Sequence, residues 1–354
     1  MAYTDIDDPT IYFNTVLYTG TGSSNAISGV GFSPDFIWGK GRTNADSFFM
    51  VDSVRGATKH VRSDSNDSEY TRAQDVKTID SDGFTVGTDD LVNKNTTTFV
   101  SWNWLADTSF TNDASSTGIG SIDSVGSFNN TNGCSIVTYT GTGSNGTVKH
   151  GLNTAPYFIA IRSRSNAGSD WHVYHNSLGG TKFLRLNTTA AAETNSAAAW
   201  NNTAPTSSVF SLGTGNNVNG SSRTYIAYCF AEKQGYSKTG SFEGNGNANG
   251  PFIYTGFKPA FVLIKNIDAT KDWKIIDNKR NPSGLGGANP VRYRLAANTT
   301  AATSDDGDGQ DFTSQGFKIR TTDSHMNTNA NTHVYVAFAE SPFVTSTGVP
   351  TPAR

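Results

Sequence analysis

Few residues in this sequence have the types and spacing that catalysis or metal binding requires. His172 and His175 form a possible metal pair, but on a strand an i, i+3 spacing directs the two imidazoles to opposite faces. Asp80 and Asp82 form a possible carboxylate pair for glycoside cleavage, but an Asp-Gly turn before a strand explains them better, because the third copy has Thr313 and Gln315 at these positions. We therefore expect both pairs to be structural.

An acidic segment at residues 305–311, DDGDGQD, is the candidate cation site. Asp306, Asp308 and Asp311 supply hard oxygen ligands of the kind that Ca²⁺ prefers, on what the glycines indicate to be a loop. The segment lacks the Gly and terminal Glu of an EF-hand, so a solvated acidic loop is the competing interpretation. We expect no bound cofactor, with Ca²⁺ as the alternative at these three residues.

No nucleophile elbow, zinc-protease helix or phosphate-binding loop occurs in the chain, and we expect no enzymatic activity. Gly20-Thr21-Gly22 resembles the start of a dinucleotide loop, but it recurs along the chain without a following helix, which indicates a structural turn. Asn, Ser, Thr and aromatic side chains are the remaining functional groups. They suit glycan binding, because aromatic faces stack on sugar rings while amides and hydroxyls bond sugar hydroxyls. Trp102, Trp200 and Tyr236 are the candidate stacking residues, with burial in a core as the alternative for each.

The composition excludes several classes of partner. Only 16% of the 354 residues are charged and the formal net charge is −3, so neither nucleic acid nor an acidic membrane surface is expected to bind. No apolar stretch is long enough for membrane insertion. The acidic residues 1–12 do not resemble a signal peptide, which predicts synthesis in a cytoplasm. Cys134 and Cys229 are expected to be free thiols within strands.

A threefold internal repeat governs the whole chain. Tyr-Thr-Gly-Thr-Gly at residues 18–22 returns at 139–143 and, more loosely, at 242–246. Each copy continues with a Pro, an aromatic and apolar run, and a basic residue: Lys40, Arg162 or Lys265. Each copy ends on an aromatic strand that closes with Ala and an acid. The period of 100 to 125 residues is that of a domain.

Within a copy, short β-branched and aromatic runs alternate with polar residues and are separated by Gly turns. This pattern predicts an all-β protein of three tandem antiparallel β-sandwich modules of jelly-roll or lectin-like type. The predicted boundaries are 1–107 for the first module, 108–130 for a Ser/Gly/Asn-rich linker, 131–235 for the second module, and 236–354 for the third with a C-terminal tail.

Several segments resemble repeat-containing virion proteins of tailed bacteriophages, especially marine phages, which are usually uncharacterised or called tail-fibre or structural proteins. In the first copy the matching segments are FNTVLYTG (13–20), GVGFSPDFIW (29–38), VDSVRGAT (51–58) and DSDGF (80–84). In the other copies they include YIAYCFAE (225–232), GYSK (235–238) and GPFIYTGFKP (250–259). The resemblance covers nearly the whole chain and supplies no catalytic residues.

The resemblance implies a non-enzymatic virion protein, made in the host cytoplasm and exposed on the particle exterior. We expect it to be a tail-fibre or spike adhesin for host surface glycan that also contacts other virion proteins of capsid or tail. The alternatives are a capsid decoration or head fibre without receptor binding and, less favoured, a polysaccharide depolymerase. We expect a homo-oligomer, with a trimer ahead of other states, although the internal repeat also allows a pseudo-trimer within one chain.

Overall fold

The computed structural model describes residues 2–281 and 289–352, apart from the side chains of residues 306–308. The fold is all-β with several antiparallel sheets, as the sequence predicts. The helical segments within the described ranges are single turns of three to six residues. No helix among the described residues is long and apolar enough to cross a membrane.

The first repeat begins with a 3-10 turn at Pro9–Ile11 and contains nine strands. They are β1 (Phe13–Thr19), β2 (Asn25–Ser28), β3 (Phe36–Gly41), β4 (Phe49–Asp52), β5 (Lys59–His60), β6 (Tyr70–Thr71), β7 (Val76–Asp80), β8 (Gly83–Val86) and β9 (Thr98–Trp104), with helix α1 (Asp90–Asn93) before β9. The main sheet has the order β1-β9-β3-β4, and β2-β8-β7 forms a second sheet.

The second repeat contains eight strands, three helices and a 3-10 turn at Asn176–Thr181. In chain order they are β10 (Thr108–Asn112), α2 (Ala114–Thr117), β11 (Ser124–Asn129), β12 (Cys134–Thr140), β13 (Gly146–Lys149), β14 (Phe158–Ser163), β15 (His172–His175), α3 (Ser196–Ala199), β16 (Val209–Leu212), α4 (Asn216–Asn219) and β17 (Thr224–Phe230). The main sheet has the order β10-β11-β12-β17-β14-β15, and β13 pairs with β16.

The described part of the third repeat forms one eight-stranded sheet of order β18-β25-β20-β21-β22-β23-β24-β19. Its strands are β18 (Ser237–Glu243), β19 (Phe252–Tyr254), β20 (Phe257–Asn266), β21 (Lys274–Asp277), β22 (Val291–Ala296), β23 (Ser304–Thr313), β24 (Gly316–Ile319) and β25 (Thr332–Pro342). The four strands β18-β25-β20-β21 match β1-β9-β3-β4 and β12-β17-β14-β15 in order and direction. The same antiparallel unit therefore occurs three times.

The three repeats share one apolar core, which corrects the prediction of modules that stand in tandem. On β14, Phe158 and Ala160 point into a core formed by all three repeats, whereas Ile159 and Ile161 point into a core of the second repeat alone. The equivalent strands β3 and β20 divide their side chains in the same way. A strand that is buried on both faces has a near-continuous apolar sequence, which explains the aromatic run in each copy.

Aromatic rings from β9, β17 and β25 meet at the centre of the shared core. The ring of Trp104 lies 5.7 Å from Phe230 and 5.4 Å from Phe338, and the last two rings are 5.3 Å apart. These are the residues that precede the closing Ala-acid pair of each copy, or in the first copy Leu-Ala-Asp. The repeats therefore surround a common centre instead of following one another along a line.

Residues 108–130 are not the linker that their composition predicts. They form β10, α2 and β11, which extend the main sheet of the second repeat by two strands. Phe110 and Phe128, with rings 5.8 Å apart, hold the added hairpin together. Because Ser, Gly and Asn dominate the composition of this segment, its two short paired strands are not predicted.

A buried basic residue at the end of each central strand joins neighbouring repeats. Each donates to a backbone carbonyl of another repeat, in the pairs Lys40 Nζ to Thr300 (2.9 Å), Arg162 Nη2 to Asp67, and Lys265 Nζ to Thr189 (3.2 Å). Burial lowers the pKa of both lysines to about 8 and that of the arginine to about 10. The first repeat thus contacts the third, the third contacts the second, and the second contacts the first.

A second set of hydrogen bonds follows the same cycle. The pairs are Tyr228 Oη to Asp52 Oδ2 (2.8 Å), Trp102 Nε1 to Asp277 Oδ2 (3.0 Å), and His175 Nε2 with the carbonyl of Tyr335 (3.0 Å). Arg55 and Arg280 form buried ion pairs with the two aspartates. Every repeat is therefore bound to both of the others, and the three close into a ring.

Candidate functional site

The three aromatic residues predicted to bind glycan are all buried. Trp102 is 0% exposed and donates to Asp277, Trp200 is 1% exposed and packs edge-on against Tyr174, and Tyr236 is 0% exposed. None offers a ring face to a sugar, which corrects their assignment as stacking residues. Large aromatic side chains bury much apolar surface, so these three residues lie in cores, as the alternative interpretation has it.

The predicted calcium segment lies in strand β23 instead of a free loop. The side chains of Asp306 and Asp308 lie outside the described residues. Asp311 is described and forms an ion pair with Arg320, with Oδ2 3.5 Å from Nε. No group of three or more His, Cys, Asp or Glu side chains that could hold a metal occurs in the described part of the chain.

His172 and His175 point to opposite sides of β15, as their spacing predicts. The ring of His172 stacks on Phe183 at 4.5 Å, and His175 contacts the carbonyl of Tyr335. Burial lowers the pKa of both imidazoles to about 4. Asp82 accepts hydrogen bonds from the amides of Gly29 and Gly31, so the Asp-Gly turn is structural. Both histidines and Asp82 thus make contacts within the protein.

In a charged cluster at one end of β21, a histidine pairs with two aspartates. His325 Nδ1 lies 2.8 Å from Asp323 Oδ1, and Nε2 lies 3.2 Å from Asp272 Oδ2. The two carboxylates raise the pKa of His325, while its imidazole holds the pKa of Asp272 well below the usual range. Because both ring nitrogens already contact a carboxylate, this histidine is placed as an ion-pair partner and not as a general base.

The groove with the best chemistry for a polar ligand lies between the second and third repeats. Its volume is about 720 Å³, within the range of small-molecule sites. Three tyrosines line it: Tyr3 from the N-terminal segment, Tyr157 before β14, and Tyr254 at the end of β19. We call it the junction groove.

Strand β19 presents the most exposed aromatic side chains of the described structure. Tyr254 is 56% and Phe252 48% exposed, while Ile253 between them is buried. Residues i and i+2 of a strand share a face, so the two rings lie side by side on the surface, about 7 Å apart along the strand. This strand is also the edge of its sheet and pairs with β24 on one side.

Hydrogen bonds fix the tyrosine wall of the groove. Tyr3 Oη donates to the carbonyl of Gly256 at 2.7 Å and lies 3.5 Å from Tyr254 Oη. Burial and the neighbouring Tyr254 hydroxyl raise the pKa of Tyr3. Thr4 Oγ1 donates to the carbonyl of Gln234 at 2.7 Å, which anchors the N-terminal segment across the junction.

A rigid carboxylate forms the polar side of the groove. Glu232 Oε1 accepts from the amide and hydroxyl of Thr239 at 2.8 and 2.7 Å, and Lys238 Nζ lies 3.1 Å from Oε2. The amides of Asn153 and Gln234, both exposed, line the same groove. Exposed rings beside a fixed carboxylate and amides can hold a polyhydroxylated ligand by stacking and hydrogen bonding.

A local sequence pattern marks part of this site. In the segment GPFIYTG at 250–256, Gly residues bound a strand in which Ile253 alternates with Phe252 and Tyr254. If Ile253 faces the core, both aromatics must face solvent. The approach of Tyr3 and Tyr157 depends on how the repeats pack, and no local pattern predicts it.

A family model described as "Domain of unknown function (DUF7483)" matches residues 8–342. The match spans all three repeats and the strands that form the ring. No curated protein matches the chain.

Proposed function

Because the chain belongs to the DUF7483 family, a domain of unknown function, we propose its function from the junction groove: a non-enzymatic, carbohydrate-binding adhesin exposed on a bacteriophage virion. The exposed ring of Tyr254, in one groove with the carboxylate of Glu232 and the amides of Asn153 and Gln234, is the observation that carries the glycan-binding part. The resemblance of the repeats to phage virion proteins supports the virion part.

The architecture supports an adhesin because it is rigid. We interpret each repeat as a small sandwich whose inner face contributes to the shared core, and the ring as a single-chain counterpart of a trimeric spike. A groove whose walls are fixed before binding loses little conformational entropy when a ligand enters it. The low charge of the surface suits neutral or weakly charged glycans.

The test uses the labelled full chain, an array of purified bacterial surface polysaccharides, and intact cells with and without removal of their glycans. Replacing Tyr254 with Ala removes one stacking face and should weaken binding by about tenfold, which corresponds to about 1.4 kcal/mol. Leu17→Ala is the matched control, because Leu17 is exposed on β1 outside the groove. Equal binding by both variants, or binding to no polysaccharide, contradicts the proposal.

A capsid decoration or head fibre is the second candidate, since both terminal segments lie together. Asp7 accepts hydrogen bonds from the amide and hydroxyl of Ser346, each at 2.5 Å. A docking arm built from residues 5–12 and 341–344 would use this paired surface. Deleting residues 343–354 would then abolish incorporation into particles while glycan binding stays unchanged; normal incorporation removes this candidate.

A further inference from the structure

A second hollow adjoins the junction groove and continues it. Its volume is about 520 Å³, and it shares Tyr3, Asn153 and Gln234 with the first. Asp5 and Lys233 line this second hollow and not the junction groove. The shared residues form a saddle between two spaces, each of them within the size range of a small-molecule site.

The lining of the two hollows has no formal net charge. Glu232 and Lys238 lie 3.1 Å apart in the first hollow, and Asp5 and Lys233 line the second. Burial lowers the pKa of Lys233, and Asp5 opposes that effect. A carboxylated or sulfated glycan would therefore meet an acid beside each base. The acids would repel such an anionic glycan. A neutral chain meets hydrogen-bond donors and acceptors on both sides and is not repelled.

From the two adjoining hollows and their balanced lining, we propose that the ligand is a linear, neutral oligosaccharide segment that spans both hollows. Its affinity then rises with chain length until both spaces are filled. This inference rests on the proposed glycan-binding function and specifies its ligand class. Tyr3, Asn153 and Gln234 contact the middle of the bound segment.

Isothermal titration with purified oligosaccharides tests the inference. The probes are neutral gluco- and manno-oligosaccharides of two to eight units, with oligogalacturonates of the same lengths as the anionic series. We expect affinity to rise by about tenfold between the disaccharide and the hexasaccharide. We expect the anionic series to bind at least tenfold more weakly at equal length.

Three variants test the two hollows and the charge of their lining. Asp5→Ala should lower affinity for the hexasaccharide and leave the disaccharide unaffected, because the shorter ligand occupies the tyrosine-lined hollow. Tyr254→Ala should weaken both. Glu232→Gln makes the lining positive and should reduce the discrimination against oligogalacturonate.

The outcomes distinguish the two proposals. Binding that is independent of chain length, or a preference for the anionic series, overturns the extended neutral ligand and leaves glycan binding intact. Absence of binding to any glycan, both in this titration and on the polysaccharide array, overturns both. Correct folding of each variant is established by an unchanged melting temperature.

Discussion

A buried ionic network at the boundary between the first and second repeats shows how single residues hold the ring together. Asp52 accepts from Arg55 Nε at 2.6 Å and from Tyr228 Oη at 2.8 Å, and Arg55 also contacts Glu69. The side chains of Asp52 and Arg55 are fully buried. A buried charge is tolerated only when it is paired and hydrogen-bonded, so each member of this network depends on the others.

Two substitutions measure this dependence. Asp52→Asn leaves the Arg55 guanidinium without its nearest carboxylate and should lower the free energy of unfolding by about 3–5 kcal/mol. Tyr228→Phe removes one hydroxyl and should cost about 1–3 kcal/mol. Chemical denaturation monitored by tryptophan fluorescence gives both values. Lys77→Gln, at an exposed position, is the control and should change stability by less than about 0.5 kcal/mol. A smaller effect for Asp52→Asn than for Tyr228→Phe would contradict this account.

The Gly-x-Gly loops after β1, β12 and β18 show the repeat at the scale of elements. In each, the amide of the middle residue donates to a buried asparagine at 2.9 Å, in the pairs Thr21–Asn93, Thr142–Asn219 and Asn245–Asn327. A Cβ on Gly141 would lie 2.4 Å from the carbonyl oxygen of Gly220, and Gly143 has a φ of +76°. The first glycine permits close approach and the second permits the left-handed turn. We call this Gly-x-Gly loop, held by a buried asparagine, the clamp. Its recurrence predicts such a structural role in place of a dinucleotide loop.

Replacing the clamp asparagine of the second repeat tests this assignment. Asn219 is fully buried and donates to the carbonyls of Ser144 and Gly213 at 2.6 and 2.8 Å. Asn219→Ala leaves both acceptors and the amide of Thr142 without this partner, and should lower the free energy of unfolding by about 2–4 kcal/mol, from two to three lost bonds. Asn145→Ala, at an exposed position of the same loop, is the control. Hydrogen exchange should show faster exchange at the Thr142 amide in the first variant, and unchanged exchange would contradict the clamp.

Sequence patterns predict the elements better than the relations between them. The alternation in TYIAYCF at 224–230 predicts β17 correctly, and the recurring turns mark the three copies. The sequence does not show that both faces of this strand are buried against different partners. An aromatic residue that packs against a neighbouring repeat has the same sequence pattern as one that packs in the core of its own repeat. For the same reason the sequence does not separate a stacking role from core burial for Trp102 and Tyr236, and the structure shows burial. The assignment of 108–130 failed because cross-strand pairing leaves little trace in composition.

The closed ring of three repeats makes the stability of each repeat depend on the other two. Since the inner faces of all three main sheets form one core, no repeat can leave without exposing rings such as Phe230 and Phe338. We therefore expect the chain to unfold in one cooperative step, whereas three independent tandem domains would unfold separately. Differential scanning calorimetry should give equal calorimetric and van't Hoff enthalpies.

A truncated chain also tests whether the repeats depend on one another for folding. Residues 236–354 alone lack two thirds of the shared core and should not give a cooperative melting transition. A stable fold of this segment, or several transitions in the full chain, would show that the repeats are independent.

The N-terminal segment has a consequence for attachment strength. Tyr3 and Thr4 bond to residues at the boundary between the second and third repeats, so the groove that they complete lies, within the described residues, at one of three similar boundaries. An adhesin that binds through this groove alone would engage one ligand per chain. If it acts as an adhesin, firm attachment must come from avidity, through many copies displayed on one particle and engaging a repetitive polymer together.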